Sequence, residues 1–543
     1  MSFIPNVITD YQDPHMRLPR LRFPATRRLT EPAAFVTPVS PSPRKGRGDA
    51  NPTRQSRAGS EPCPVLPTKD RHLTLNKPHL VRSLGLIGAI SVNVGNTIGT
   101  GVFLKARIMT CNVGDPLLVI GAWVLGGLLA LAGALTYSEL AAMIPKAGGE
   151  YVFLREAYGR AWGFIYGWTI FFVARTGAEA ALAIGGAIFI NVLTGGALEG
   201  IYFSIHVFGH PIPFGKLQLV AVASIALMTL LNCASVSFGG GTASALTAIK
   251  ISILLALGGA AFFFGHGDWS HFASSGAAGL CEAVSPSSRG GLAGFGAAML
   301  GALWAYDGWN NLTPLSGEVK NPHRNLPLAF IVGMFIVAGL YIFVNSAYFY
   351  VLPPVQIANV PLTSSVATAV ASSFLGSSAG KLIALALLVS SLGALHSSIL
   401  SNSRVPFAMA QDGLFFRKLA AVSPRTRVPL NAVVAQGAWA SVLALSGSYD
   451  VLTDYVIFAS WLLYGLTAAT VFVFRRRIPD SERAYRAWGY PAVPALFLLV
   501  TAWLLVNTLI TSPGSSLTGL GLMAMGIPFY WYWSRTNSTK STR

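Results

Sequence analysis

The sequence predicts an all-α polytopic membrane protein with about twelve transmembrane helices. Three observations support this fold class: 52% of the 543 residues are hydrophobic, only 11% are charged, and long apolar runs recur along the chain. A run of about 20 apolar residues is long enough to cross a hydrocarbon core of roughly 30 Å. The charged fraction is about half of that of an ordinary soluble domain, so a water-soluble fold is excluded.

The first 79 residues have the composition of a disordered, basic tail. They are rich in proline, arginine and serine, as in PVSPSPRKGRGDANPTRQSR, and lack periodic apolar residues. Such a segment buries too little apolar surface to fold. It has no early apolar core followed by a cleavage site, so we do not expect a signal peptide. We expect residues 1–79 to form a solvated tail or to result from a misassigned start codon. The alternative is a basic segment that contacts anionic lipid.

Residues 80–536 form the predicted transmembrane domain, and residues 537–543 form a short cytoplasmic tail. From Leu84 onward the apolar runs predict about twelve spans. Their approximate bounds are 84–109, 115–142, 161–193, 216–235, 243–265, 293–317, 327–351, 379–408, 428–446, 450–474, 490–511 and 515–533.

The charges of the connections predict which side of the membrane each one faces. Lys and Arg accumulate after the second, sixth, eighth and tenth spans, and they are almost absent after the third, seventh, ninth and eleventh. Because Lys and Arg accumulate on the cytoplasmic side, we expect both termini in the cytoplasm. Only Lys105 and Arg107, after the first span, run against this pattern. The net charge of +18 therefore reflects topology, and no nucleic-acid partner is expected.

The first span contains the stretch VGNTIGTGVF, residues 94–103, which is poorly suited to an uninterrupted helix. Each glycine weakens a helix by roughly 1 kcal/mol relative to alanine. We expect the helix to unwind between Ile98 and Gly101, so that N–H groups at a half-helix N-terminus favour an anionic group. The alternative is a helix-packing site, in which Gly95 and Gly99 let two helices approach closely. The glycine spacing fits no nucleotide-binding loop.

The sixth span contains a second interruption, in LWAYDGWNNLTP, residues 303–314. An aspartate at a helix centre costs about 2.5 to 3.5 kcal/mol, and Pro314 removes a helical hydrogen bond. Two breaks that lie five spans apart are typical of transporters built from two inverted five-helix repeats. Carbonyl groups freed near Trp304 suit an ammonium group, and the N–H groups of the first break suit a carboxylate. Together the breaks predict a site for an α-amino acid.

Several ionisable residues fall inside the predicted spans. Lys250 either snorkels to the interface or bridges the first and eighth spans in place of a sodium ion, where it can exchange a proton. Arg175 and Glu179 are four residues apart and are expected to pair with each other. Asp307 and His396 are candidates for a proton pathway, although a hydrogen-bonded core histidine is as good an interpretation of His396.

The remaining polar residues predict little further chemistry. Glu139 and Glu318 lie near cytoplasmic ends of spans and are expected to anchor gates or loops. The four cysteines, at positions 63, 111, 233 and 281, are scattered without a CxxC pair or partnering histidines. Neither a metal site nor a disulfide framework is indicated, and no cofactor is expected.

From Leu84 to Trp533 the chain resembles the amino acid-polyamine-organocation superfamily, most closely its L-type amino acid transporter branch and the bacterial relatives of that branch. The resemblance rests on several motifs in the right order. These are GNTIGTGVF, YSELAAMIPKAGGEYVFLREAYG, Lys250 in the fifth span, LWAYDGWNNL with EVKNPHRNLP, and SSLGALHSSILSNSRVPFAMAQDGLF.

The resemblance implies a leucine-transporter-like fold that exchanges neutral L-amino acids by alternating access, with Lys250 at the sodium position. The residues that it implies for substrate binding are Thr97, Ile98, Gly99, Thr100, Gly101, Trp304, Tyr306, Asp307 and Gly308. Two residues depart from the family pattern: Asp307 replaces a small residue of the animal L-type light chains, and His396 replaces an asparagine. No disulfide-linked heavy chain is expected, because the segment between the third and fourth spans has no cysteine.

The sequence therefore predicts a secondary transporter of small-molecule amino acids in the plasma or inner membrane, in contact with lipid. Sodium-independent exchange is the first expectation. Proton-coupled symport is the alternative, with Lys250, His396 or Asp307 as the proton carrier. An amino acid sensor and a membrane-embedded enzyme are more remote alternatives, and the sequence shows no nucleophile–base pair or metal cluster for the latter.

Overall fold

The structure, a computed structural model, describes residues 80–538 except 208–209, 277–280, 282–283, 285–288, 362–363, 447–448, 480–482 and 512. The predicted tail at 1–79 and most of the predicted tail at 537–543 lie outside the described residues. The described chain consists mainly of α-helices, joined by short 3-10 turns, one π-helical turn and a β-hairpin.

The helices are numbered here in chain order. They are α1 (Leu86–Thr97), α2 (Gly101–Val113), α3 (Pro116–Met143), α4 (Glu150–Tyr158), α5 (Arg160–Thr169), α6 (Arg175–Leu193), α7 (Lys216–Asn232), α8 (Val236–Phe264), α9 (Gly291–Tyr306), α10 (Pro322–Val351), α11 (Pro354–Ala358), α12 (Val366–Leu375), α13 (Ala379–Asn402), α14 (Arg404–Gln411), α15 (Leu430–Ser446), α16 (Tyr449–Arg477), α17 (Ala492–Thr511), α18 (Pro513–Ala524) and α19 (Gly526–Ser538). The antiparallel strands β1 (Ile201–Val207) and β2 (His210–Gly215) lie between α6 and α7.

The helices of the described residues have the length and composition of membrane spans. Seven are long and apolar enough to cross a membrane: Pro116–Met143, Arg160–Leu193, Val236–Phe264, Pro322–Val351, Ala379–Gln411, Phe458–Arg477 and Ala492–Ile510. The bent pair of α1 and α2 adds an eighth span, and α7, α9, α12 and α15 are shorter apolar helices. The all-α polytopic class is confirmed, whereas the count of twelve spans and the inverted repeat stay predictions.

Local sequence explains where several of these helices begin. Asp115 precedes α3 and its side chain accepts a hydrogen bond from the N–H of Leu118 at 3.0 Å, with Pro116 in the first turn. Ser235 caps α8 in the same way through the N–H of Phe238. Such caps satisfy N–H groups that have no partner inside the helix.

The predicted break in the first span is confirmed. α1 ends at Thr97, Ile98 is extended, and α2 begins at Gly101 with a bend of 40° between the two helices. The Tyr341 hydroxyl of α10 lies 3.0 Å from the carbonyl oxygen of Thr97 and 2.9 Å from that of Ala305. One hydroxyl therefore reaches carbonyl groups at both breaks.

The predicted break in the sixth span is also present. α9 ends at Tyr306, Asp307 leaves the helical conformation with a ψ of 143°, Gly308 has a φ of 102°, and a 3-10 helix follows at Thr313–Glu318. A Cβ on Gly308 would lie 2.7 Å from the carbonyl oxygen of Asn96, so this position needs glycine for its backbone angle and for its close contact. The two breaks are thus packed directly against each other.

The expectation that the cysteines form no disulfide is wrong. Cys111, near the end of α2, is bonded to Cys281 in the segment before α9, with their Cα atoms 5.6 Å apart. The two residues are 170 positions apart in the chain, so their spacing gave no signal. Only the packing of α2 beside α9 brings them together. Cys233 is a free thiol.

Candidate functional site

A cavity lies where the two breaks face each other, and α6 and α13 complete its wall. The residues that line it are Asn96, Thr97, Gly99, Thr100, Gly101, Arg175, Ala178, Leu182, Trp304, Ala305, Asp307, Gly308, Asn311 and Ser398. Seven of the nine residues expected to bind substrate are in this set. The other seven lining residues were not expected to bind substrate: Asn96, Ala305, Asn311, Ser398 of α13, and Arg175, Ala178 and Leu182 of α6.

Ile98 and Tyr306 are the two expected residues that do not line the cavity. The Ile98 side chain is fully buried. The Tyr306 hydroxyl donates a hydrogen bond to the carbonyl of Trp123 at 3.0 Å, and its ring packs against Trp123 and Tyr341. Both side chains pack into the protein on the side of the breaks that faces away from the cavity. Trp304, in contrast, is an aromatic residue of the cavity wall.

The two sides of the first break have opposite polarity. Gly101 is the first residue of α2, and an α-helix leaves its first four N–H groups without an intrahelical partner. These groups carry the positive end of the helix dipole, which favours an anion such as a carboxylate. The last turn of α1 presents carbonyl oxygens and the negative end of its own dipole. The cavity wall therefore suits a zwitterion.

Lys250 of α8 binds the carbonyl end of α1. Its Nζ donates to the carbonyl oxygens of Gly95 at 2.8 Å and Ile98 at 2.6 Å, and the residue is 1% exposed. On α13, a Cβ at Gly393 would lie 2.7 Å from Cε of Lys250, so glycine leaves room for the lysine stem. The ammonium group is buried between α1 and α13, which excludes the snorkelling alternative.

The expected pairing of Arg175 with Glu179 is wrong. Nη1 of Arg175 donates to Oδ2 of Asp307 at 2.8 Å, and Nη2 donates to Oδ1 of Asn310 at 3.1 Å and to the Tyr464 hydroxyl. Tyr464 in turn donates to Oδ1 of Asp307 at 2.5 Å. The spacing of four residues does place Arg175 and Glu179 near one face of α6, but the break after α9 brings a second carboxylate to the guanidinium group.

Glu150 extends this network to the residues that follow the break in the sixth span. Its Oε1 accepts a hydrogen bond from Nδ2 of Asn310 at 2.5 Å, and its Oε2 accepts one from the hydroxyl of Thr313. Gly149 makes the approach possible, since its φ is 48° and a Cβ there would lie 2.5 Å from the backbone carbon of Thr313. Glu150 is not among the residues predicted from the sequence, although the adjacent glycine pair in KAGGEY indicates a tight backbone turn beside it.

His396 does not line the cavity. Its Nε2 lies 3.0 Å from the carbonyl oxygen of Gly239, and its Nδ1 lies 3.1 Å from Nδ2 of Asn232. Nε2 must donate to the carbonyl, which leaves Nδ1 to accept from the amide and describes a neutral imidazole with both nitrogens bonded. The geometry supports a hydrogen-bonded core histidine over a proton carrier.

Glu318 and Glu139 both form ion pairs near the ends of their spans. Glu318 accepts two hydrogen bonds from Arg404, at 2.7 and 3.1 Å, and both side chains are fully buried. Glu139 accepts from Arg475 at 2.9 and 2.7 Å and from the N–H of Ala487 at 2.8 Å. These contacts tie connecting segments to the bundle, as expected for anchoring residues.

Comparison with known proteins places this site in a family. The profile of the family described as amino acid permease matches residues 84–532. The chain is 33% identical over 457 residues to the serine/threonine exchanger SteT of Bacillus subtilis (strain 168), a match that covers 83% of this chain and 97% of that protein. It is 30% identical over 440 residues to b(0,+)-type amino acid transporter 1 of Homo sapiens, covering 80% and 84% of the two chains.

A third relative extends the comparison. The chain is 28% identical over 460 residues to large neutral amino acids transporter small subunit 2 of Homo sapiens, covering 84% of this chain and 81% of that protein. The family and these relatives are transporters, so the alternative of a membrane-embedded enzyme is wrong. The two broken helices, the cavity between them and the extent of these matches lead to one conclusion: the chain belongs to the amino acid permease family of the amino acid-polyamine-organocation superfamily, and it transports amino acids.

Proposed function

We propose that this protein exchanges neutral L-amino acids across the cell membrane by alternating access and without sodium. The observation that carries the proposal is the cavity between the two breaks, where the N-terminus of α2 and the carbonyl end of α1 meet. Exchange is supported by the name of the serine/threonine exchanger among its relatives.

Recognition of the amino acid backbone follows from the polarity of the breaks. The substrate carboxylate binds the N–H groups at Gly99 to Gly101. The substrate ammonium group binds carbonyl oxygens at the ends of α1 and α9 through their second lone pairs, because several of them already accept from Lys250 or Tyr341. A Cβ on Gly99 would contact only Leu182, at 3.6 Å, so this glycine keeps open space on the cavity side.

The position of Lys250 supports sodium independence. Backbone carbonyl oxygens are ligands that suit a hard cation such as sodium, and the Lys250 ammonium group occupies the carbonyls of Gly95 and Ile98. A fixed positive charge at this point performs the electrostatic task of a bound sodium ion. Asp307 is engaged by Arg175, so its negative charge is compensated within the protein and a neutral substrate side chain fits beside it.

The orientation with both termini in the cytoplasm is part of the proposal. It places the end of α2 and the segment before α9 on the non-cytoplasmic side. The disulfide between Cys111 and Cys281 lies there, and disulfides persist in oxidising compartments outside the cytosol. The disulfide and the positions of Lys and Arg thus support the same orientation.

The test is uptake of radiolabelled amino acids into proteoliposomes that contain the purified chain alone. Vesicles are empty or preloaded with unlabelled amino acid, and sodium is replaced by choline. We expect strong stimulation of uptake by preloading, equal in both salts and without a heavy chain. Uptake that requires sodium, or that preloading does not stimulate, would contradict the proposal.

Proton-coupled symport is the second candidate. It is favoured by the burial of Lys250, whose ammonium group has no acidic partner among the residues that the structure describes. Uptake into empty vesicles driven by an inward proton gradient would support symport. Binding of amino acid without any flux would instead support the sensor alternative.

A further inference from the structure

Glu179 has a fully buried carboxyl group whose two oxygens differ in their hydrogen bonds. It lies on α6 and faces α13 and α15. Its Oε1 accepts from the Ser398 hydroxyl at 2.9 Å and from Nε2 of Gln436 at 2.6 Å. Its Oε2 has no hydrogen-bond partner among the described residues.

The ionisable groups near Glu179 on α6, α16 and α13 are engaged elsewhere. On α6 itself, Arg175 is paired with Asp307, and on α16 the Tyr464 hydroxyl donates to the same aspartate. On α13, His396 is bonded to α7 and to the backbone of α8.

The other neighbouring elements supply no charge that meets Glu179. Lys250 of α8 is bonded to the carbonyls of α1. α15 and the π-helical turn at Ile170–Ala174 contain no ionisable residue. The ionisable residue of α7 is Lys216, which is the first residue of that helix. The two groups bonded to Glu179 are both neutral donors.

This environment favours the protonated acid. A buried carboxylate without a paired cation is much more costly in free energy than a neutral group in the same place. In the acid, the carbonyl oxygen has two lone pairs, which match the two donors at Oε1. The hydroxyl group is then at Oε2, which has no hydrogen-bond partner among the described residues, and an unbonded neutral hydroxyl is less costly there than an unbonded negative charge.

Ser398 connects Glu179 to the cavity. Ser398 lines the cavity wall, and its hydroxyl oxygen accepts from Nδ2 of Asn402 at 3.1 Å, so its single proton is donated to Glu179. A substrate group that accepts this proton takes one donor away from the carboxyl group. Because the ionised form depends on donors more than the neutral form does, substrate binding then favours protonation of Glu179.

We propose that the Glu179 carboxyl group is a proton-binding site coupled to amino acid binding through the Ser398 hydroxyl. The inference rests on the proposed amino acid transport and names Glu179, in place of His396, Asp307 or Lys250, as the group that links it to pH. Linkage is reciprocal, so protonation of Glu179 raises the affinity for the amino acid by the same factor.

The test is equilibrium binding of radiolabelled serine to the purified full-length chain from acidic to alkaline pH. We expect the wild-type affinity to fall at least roughly fivefold as the pH rises, the lower end of typical coupling. Glu179→Gln keeps the acceptor oxygen and is always neutral, so its affinity stays at the acidic value throughout. Glu199→Gln, at an exposed residue, is the matched control and follows the wild type.

Two further measurements isolate the route and the proton itself. In Ser398→Ala the affinity becomes independent of pH, because the hydroxyl that links the two sites is gone. The infrared spectrum of the wild-type protein at neutral pH contains a carboxylic acid C=O band that is absent from Glu179→Gln, whether or not that variant binds serine.

The proposal is overturned if Glu179→Gln retains the wild-type pH dependence, if the wild-type affinity is constant across pH, or if the acid band is unchanged in the variant. Binding at any pH leaves the proposed transport function intact in each of these cases. A wild-type protein that neither binds nor takes up any amino acid would contradict the transport function itself.

Discussion

Asp307 has the position of a substrate ligand, but its carboxylate is already bonded to other side chains of the protein. It lines the cavity, and it is also the partner of Arg175 and Tyr464. A buried guanidinium group left without its carboxylate is strongly destabilising, whereas removal of both partners is much less so. The ion pair of Asp307 and Arg175 therefore holds the break in the sixth span against α6 at the cavity wall.

We expect Asp307→Asn to lower the free energy of unfolding by about 3 to 5 kcal/mol, because Arg175 then remains buried and uncompensated. The double variant Asp307→Asn, Arg175→Met recovers part of this loss. Thermal unfolding in detergent measures both effects, with the exposed Asp268→Asn as the control. Losses that simply add in the double variant would show that the two residues are not coupled.

Gly99 and Gly101 have different tasks although both lie at the first break. A Cβ at Gly101 would lie 2.7 Å from Cα and Cβ of Ala305, whereas one at Gly99 would meet only Leu182, at 3.6 Å. We expect Gly101→Ala to separate α2 from α9 and to lower thermal stability. Gly99→Ala should leave stability unchanged and weaken amino acid binding roughly tenfold, which is about 1.4 kcal/mol.

Thermal unfolding and radioligand binding, measured on the same two preparations, separate these effects. Gly121→Ala is a neutral control, since a Cβ there meets nothing within 4 Å. Normal binding by Gly99→Ala would argue against recognition of the substrate at this part of the first break.

At the scale of elements, the disulfide connects one half of a broken span to the segment that leads into the other broken span. Cys111 lies near the end of α2, and Cys281 lies in the segment before α9. The bond closes a segment of 170 residues, so in the chain-entropy description it restricts the unfolded state strongly.

We expect Cys111→Ser, Cys281→Ser and the double variant to lose the same stability, about 2 to 5 kcal/mol in the free energy of unfolding. A reductant should lower the wild-type unfolding temperature to that of the variants and leave the variants unchanged. Cys233→Ser, at the free thiol, should behave as the wild type does. A reductant that has no effect on the wild type would show that the bond does not form.

At the scale of the whole molecule, the proposed orientation rests on the Lys- and Arg-rich connections. In intact cells, a membrane-impermeant maleimide should label Phe203→Cys, in the hairpin after α6, and should label Lys418→Cys only after permeabilisation. Both positions are exposed, so accessibility of the side chain itself is not limiting. The reverse pattern would invert the topology, and the positive-inside argument would then fail for this chain.

Long spans and both breaks were predictable because they depend on local composition. Twenty apolar residues specify a span, and glycine, proline and a membrane-embedded aspartate specify where it stops. Seven of nine expected substrate residues lie at the cavity for the same reason. Ile98 and Tyr306 do not, because adjacent residues of a break point in different directions, and sequence spacing alone does not say which one faces the cavity.

By itself, the sequence determined the membrane class, the two breaks and the family, since each of these is written in short stretches of the chain. Tertiary structure alone decided the partners. Arg175 pairs with Asp307 and not with Glu179, Cys111 meets Cys281, and Glu179 meets Ser398 and Gln436. Each of these contacts joins residues more than a hundred positions apart, and only the packing of helices in three dimensions brings such residues within bonding distance.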